Sequence, residues 1–348
     1  MRHVIGDLAA RLDRYQRRNQ WLGFPLAVIY KFFDDQGNYL AALIAYYSFV
    51  SLFPLLLIFT TVLGFVLDGH PWLQQHLIGT VVAQFPVLGA QLRDTTHPLH
   101  GSGTGLWVGL SVALYGGLGW AVAIQHAFDQ TWAVPMDQRP DPMRRRLRGL
   151  GMLAVLGVGV VLTSALRFLG AIAGQFGAEL AVVVPVVALA VSLLLVGGLF
   201  VLGFRFLTSL ELSTRRVVSG AIVGAVGWQV LQYAGPAMIA RFLSRSNQIY
   251  GFFGVVLVLL AWLYALALVV VVAAEVNAVQ ARRLWPRALL GPTPFVEQDT
   301  LTSADWRSYQ AYARAQRFQD FTRIRVEPKL DTGETPPDAP SAEPEPST

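Results

Sequence analysis

Residues 251–277 read GFFGVVLVLLAWLYALALVVVVAAEVN, and the first charged side chain in the stretch is Glu275. A helix rises 1.5 Å per residue, so about 20 apolar residues cross the roughly 30 Å hydrocarbon core of a bilayer. A helix of a water-soluble domain keeps a polar stripe, and this stretch has none. It reads as a membrane span over residues 251–276, and it sets the reading of everything before it. Five more blocks have the same character: residues 39–67, 105–127, 149–171, 180–203 and 217–240. The expected fold class is therefore all-α, a polytopic membrane protein with six transmembrane helices. Composition agrees: 54% of the 348 residues are hydrophobic and 14% charged, against about a quarter charged in ordinary soluble domains. The mean hydropathy is +0.47.

The charged residues lie between the blocks. Of the 27 Lys and Arg, six precede residue 40, five fall between 139 and 148, three between 205 and 216, and nine beyond 280. With six spans, the positive-inside rule places these segments and both termini in the cytoplasm. This distribution accounts for the net charge of +5 without nucleic acid. The first 24 residues are polar and basic with no apolar leader core. Residues 25–33 (PLAVIYKFF) are too short to span and read as an amphipathic helix lying along the membrane face. The expected division is a cytoplasmic N-terminal segment (1–38), a transmembrane domain (39–280), a cytoplasmic segment with a short helix (281–326) and a disordered tail (327–348) rich in Pro and acidic residues. The short helix is signalled by Thr302 and Asp305 at capping-box spacing.

Polar side chains inside apolar blocks are the candidates for function. In the first block Tyr47, Ser51 and Pro54 share a face with Tyr46 beside them. Pro54 cannot donate to the carbonyl four residues back, so a bend and a free acceptor are expected. Two readings stay open: the wall of a polar path, or a bent helix whose hydroxyls satisfy its own backbone. Gln229 and Gln232 add polar groups to the fifth block, and Tyr250 and Gly251 open the last. Glu275 and Asn277 close the last block. An ionisable group at that depth needs a partner, and Arg205 or Arg282 is the expected one. Glu275 is either half of a structural ion pair or a coupling and gating group. Arg167, Arg241 and Arg245 sit near the other ends of their helices and suit contact with anionic headgroups. Glycines four apart, such as Gly220 and Gly224, allow close helix approach.

Enzyme motifs are missing. The chain has no cysteine, and His70, His76, His97 and His100 do not make the four-ligand spacing of a zinc site. It also lacks a phosphate loop, a nucleophile elbow and an HExxH helix. No cofactor and no metal is expected.

AALIAYYSFVSLFPLLLIF in the first block, IYGFFG at the start of the last and VVAAEVNA at its exit together resemble the YihY/BrkB family of bacterial inner-membrane proteins. The resemblance covers residues 20–285 and departs at Ala273, where the family more usually has glycine. It implies a multi-pass inner-membrane location and importance for Tyr46, Tyr47, Ser51, Pro54, Tyr250, Gly251, Glu275 and Asn277. Members are mostly of unassigned activity, some linked to virulence or envelope integrity, and the family carries an old ribonuclease BN label that the residues do not support. The expected function is a transporter or flippase of a lipid or amphiphilic envelope component, with membrane lipids and a lipid-like substrate as partners. A homo-oligomer is compatible with this. The alternative is a membrane scaffold for envelope assembly, docking through the C-terminal helix.

Overall fold

The computed structural model describes residues 18–66, 103–173, 178–246, 251–288 and 301–317, with Asp13, Tyr15 and Gln16. The tail from 327 and the four histidines of residues 70–100 lie outside these, as does Tyr250. The described residues are all helix and connections. A helix of 15 residues, α1 (Gln20–Asp34), is followed by α2 (Gly37–Val66), α3 (Gly103–Thr131), α4 (Pro142–Ala173), α5 (Ala178–Leu207), α6 (Thr214–Ser246), α7 (Gly251–Arg282) and α8 (Ser303–Ala315).

The expectation of six spans is overturned. Among the described residues four helices hold a stretch long and apolar enough to cross a membrane: Pro142–Thr163, Val186–Leu207, Thr214–Gly235 and Val256–Arg282. The two blocks that fall out do form helices, α2 and α3. The described side chains of α2 stop at Leu52 and include Asn38, Tyr39, Tyr46, Tyr47, Ser48 and Ser51. Those of α3 begin in earnest at Tyr115 and end on Gln125, His126, Asp129 and Gln130. Neither described portion is both long and apolar enough.

Six long helices pack as a closed ring, α2 on α3, α3 on α4, and so on through α7, which returns to α2. The central element is α7, which also touches α1 and α3. Its inner face is built of Ala267, Val271, Ala273, Ala274 and Ala278, all buried. Small side chains let neighbouring backbones come close, where dispersion replaces the hydrophobic drive that lipid cannot supply. The closest approach is at Gly220 of α6: a Cβ there would collide with the Ala273 carbonyl and with Asn277. Leu40, Ala41 and Ile44 of α2, and Ile124, Ala127 and Phe128 of α3, complete this core, with Phe128 packed on Phe204 at 5.0 Å.

The short helix α1 is amphipathic in an inverted sense. Its exposed side chains are apolar: Trp21, Pro25, Ile29 and Phe33, spaced four apart, with Leu22 beside the first. Its inward face carries Gly23, Ala27, Val28 and Lys31. Ala27 and Val28 join Val276, Val279 and Leu284 in a second core cluster. A helix with an apolar outer stripe and a lysine turned inward fits the space between a protein and a lipid surface. A nitroxide placed on Ile29→Cys, in a chain with no native cysteine, should therefore meet molecular oxygen more often than a water-soluble nickel reagent in vesicles. The reverse ratio would put the outer face of α1 in water.

Candidate functional site

Buried charge collects at one end of the ring, where α2, α4 and α6 begin and α1, α3, α5 and α7 end. The Lys31 side chain of α1 is 1% exposed and pairs with Asp35, one turn on, and with Glu275 of α7 at 3.4 Å. Thr131, the last residue of α3, donates its hydroxyl to Glu275 Oε1 at 3.2 Å. One ammonium thus serves two carboxylates and ties three helices together. The Tyr312 ring of α8 covers Lys31 at 5.5 Å from Nζ. Burial acts to lower the Lys31 pKa, but Glu275 and Asp35 outweigh it and hold the pKa above the ordinary lysine value. The ammonium stays charged at neutral pH. Its contribution to stability is fully present below the ordinary lysine pKa and is lost only as pH rises through the higher folded value.

Two further networks flank this cluster. Asp129 of α3 pairs with Arg145 of α4 and accepts the Ser209 backbone N–H at 2.9 Å, so it locks the α3–α4 and α5–α6 connections together. Arg287, past the end of α7, donates to Asp34 at 2.6 Å and to Asp305 of α8 at 3.0 Å. Asp305 also receives the Ala288 and Thr302 N–H groups and the Thr302 hydroxyl; the Thr302 N–H bond, with the Asp305 N–H donated to Thr302 Oγ1 at 3.2 Å, makes a capping box. Burial acts to raise the Asp305 pKa, but the hydrogen bonds from Thr302, Ala288 and Arg287 outweigh it and leave the pKa below the usual carboxylate value. Beyond α8, Arg317 returns to Asp137 at 2.7 Å. The helix thereby bridges α1, the chain after α7 and the α3–α4 connection.

The residues singled out in the sequence fall in several places. Glu275 is in the cluster, but its partner is Lys31. Arg205 instead donates to the Leu212 carbonyl at 3.1 Å, and Arg282 to the Trp132 carbonyl. Asn277 is fully buried, and its Oδ1 accepts from Gly220 N at 2.6 Å and Ser219 Oγ at 3.2 Å. Ser51 is buried and gives its hydroxyl to the Tyr47 carbonyl at 2.7 Å, the pattern of a hydroxyl serving its own helix. Tyr47 packs into the core against Gly119, while Tyr46 is exposed. Pro54 lies within α2 and Gly251 opens α7. Gln229 is buried and donates to Ser192 Oγ at 2.7 Å; Gln232 is half-buried. Arg167 and Arg245 belong to α4 and α6, with side chains outside the described residues, and Arg241 is exposed. Among the described residues there is no group of three His, Asp or Glu that could hold a metal ion.

Sequence reading missed a cavity of about 190 Å³ between α3, α4 and α5, closed by Trp228 of α6 and Val270 of α7. Its walls include Trp120, Phe128, Met152, Leu156, Val196 and Phe200, and its polar side chains are Thr163, Ser192 and the Trp120 and Trp228 indoles. Met152 and Thr163 are eleven residues apart on α4, which makes the cavity about 16 Å long. Gln229 reaches it only through Ser192.

The family model described as Virulence factor BrkB matches residues 28–293. The inner membrane protein YhjD of Escherichia coli (strain K12) is 34% identical over 146 residues, 38% of this chain and 43% of its own length. An uncharacterized protein of Dickeya dadantii (strain 3937) is 26% identical over 254 residues, 68% of this chain and 76% of its own. A UPF0761 membrane protein of Azotobacter vinelandii is 25% identical over 281 residues, 78% of this chain and 67% of its own. The chain thus spans less than half the length of the first of these relatives. No solved structure matches it. The chain belongs to the YihY/BrkB family and is a multi-pass inner-membrane protein.

Two outcomes test the site. Lys31→Met leaves two buried carboxylates without their cation and should cost about 3–5 kcal/mol of stability; adding Glu275→Gln should restore part of it, read as thermal melts in detergent. Hydrogen exchange over Ser303–Ala315 should stay slow at neutral pH. It should begin to rise near pH ~4, the ordinary Asp value, and be complete below the lowered Asp305 pKa, because a depressed carboxylate stabilises only when ionised. In Asp305→Asn it should be fast at every pH.

Proposed function

We propose that this YihY/BrkB protein moves a lipid or lipid-like envelope component through the inner membrane and is not an enzyme. The observation that carries the reading is the cavity between α3, α4 and α5, walled by aromatic and aliphatic side chains with hydroxyls at Thr163 and Ser192. A path for a hydrated solute needs polar groups along its length, whereas an apolar wall suits an acyl chain. Gln229 and Ser192 supply a polar point partway along it. Tyr46, Tyr47, Ser51, Pro54 and Gln232 are assigned to the surrounding path, with Tyr250 and Gly251 at the start of α7. Glu275 gates: α7 cannot move away from α1 at the basic end without separating Glu275 from Lys31. Asn277 holds α7 to α6 through Gly220 while that happens.

The scaffold reading gains less support. It would have to use the outward face of α8 alone, because the inner face is taken by Asp305, Ser308 and Tyr312 packing back on the chain.

Reconstituted protein should move fluorescent phospholipids between vesicle leaflets well above empty vesicles. Val196→Trp, which fills the cavity from the α5 wall, should reduce the rate about tenfold or more. Glu275→Gln should also change it. Movement that is equal in parent and Val196→Trp protein would remove the cavity from the path, and no movement by folded protein would sink the transport reading.

A further inference from the structure

The cavity wall on α4 is a stripe, Met152, Leu156, Gly159 and Thr163, and one turn before Met152 the same stripe holds Arg148. Arg148 is half-buried. Its neighbour Arg145 is spent on Asp129, but Arg144, Arg146 and Arg148 make no hydrogen bond or ion pair among the described residues. On the opposite wall the cavity ends at Leu207 of α5, and the next residue, Thr208, is 2% exposed with a hydroxyl that has no partner among the described residues. By helix register, then, Arg148 stands one turn beyond the apolar slot on α4, and Thr208, buried with an unpartnered hydroxyl, stands one residue beyond it on α5. Arginine's planar fork matches phosphate oxygens in pairs. At about 190 Å³ the slot is below the roughly 300–1,000 Å³ of sites that enclose whole drug-sized ligands, so it takes one chain rather than two.

We infer that the protein binds an anionic phospholipid with one acyl chain in the α3–α4–α5 cavity and its phosphate on Arg148, with Thr208 as a second donor. This names the substrate class for the transport reading above and rests on it. The lipid enters chain first, and the arginines at the start of α4 favour a net negative headgroup over a zwitterionic one. Arg148 is a specificity residue in this scheme, and the apolar wall supplies the affinity that headgroups share.

Two cavity tryptophans, Trp120 and Trp228, give a readout independent of transport. Lysophosphatidylglycerol and lysophosphatidylcholine carrying a brominated chain would be titrated into full-length protein in detergent, following fluorescence quenching. A Trp120→Phe/Trp228→Phe variant reports the share that arises in the cavity. The anionic lipid should quench that share at a concentration about tenfold lower than the zwitterionic one. Arg148→Gln should abolish the preference while leaving the thermal melt unchanged, and Arg148→Lys should keep part of it. Val196→Trp should remove cavity quenching for both lipids. Equal quenching by the two lipids, or an unchanged preference in Arg148→Gln, would overturn the assignment. So would competition by inorganic phosphate at the concentration of the lipid, which would mark a phosphate site with no use for the chain. Selective binding without lipid movement in vesicles would sink transport and leave this site standing. Movement without headgroup preference would do the opposite.

Discussion

A buried ammonium that serves two carboxylates holds this protein's basic end together. Lys31 lies on a helix too short to cross a bilayer, and Glu275 lies on the most apolar of the four candidate spans among the described residues. Each charge alone would be costly at that depth, and pairing is what makes either tolerable. The consequence reaches beyond the pair. Once Lys31 is turned inward, α1 must present its other face outward, and that face is Trp21, Pro25, Ile29 and Phe33. The docking of α1 on α7 in turn puts Asp34 within reach of Arg287, and Arg287 carries Asp305 and the capped helix α8 with it. Electrostatics at one end thereby orders elements that have little apolar area of their own to bury.

The helical blocks were legible because lipid demands long apolar runs, and α4 to α7 followed them. Their number as membrane spans was not. A run such as 39–67 looks uniform in sequence, yet its described part holds Tyr46, Tyr47, Ser48 and Ser51, and Ser51 spends its hydroxyl on its own backbone. The capping-box spacing of Thr302 and Asp305 pointed to α8, because that signal is local and rests on two residues three apart. Asp305 also does something the spacing does not reveal: its second oxygen reaches Arg287.

Lys31 was the main residue missed. Glu275 was matched in the sequence with arginines near the same membrane boundary, Arg205 and Arg282, but both are held by backbone carbonyls. The true partner is 244 positions away. One local feature pointed to it: Lys31 and Asp35 are one turn apart, and in PLAVIYKFF the apolar side chains at 25, 29 and 33 form their own stripe, which leaves the lysine on the opposite face. On a helix lying in an interface, the outward stripe is the lipid-facing one. The cavity had no signal of this kind. Leucine, valine and phenylalanine on α3, α4 and α5 look alike whether they meet a neighbour, lipid or empty space.

The position of α8 changes how a truncation of the tail can be read. If the C-terminal helix were a free docking surface, removing it would spare the membrane bundle and isolate a scaffold function. Its buried face instead supplies Asp305 to Arg287 and the Tyr312 ring to Lys31. Cutting the chain after 288 would strip a hydrogen-bonded carboxylate from a buried guanidinium and uncover the ammonium that holds Glu275. A loss of function in that truncation would therefore follow from either reading. Separating them requires changes that leave α8 seated and alter only its outward face, such as Gln310 and Arg314, because these side chains can meet a partner without entering the charge network beneath.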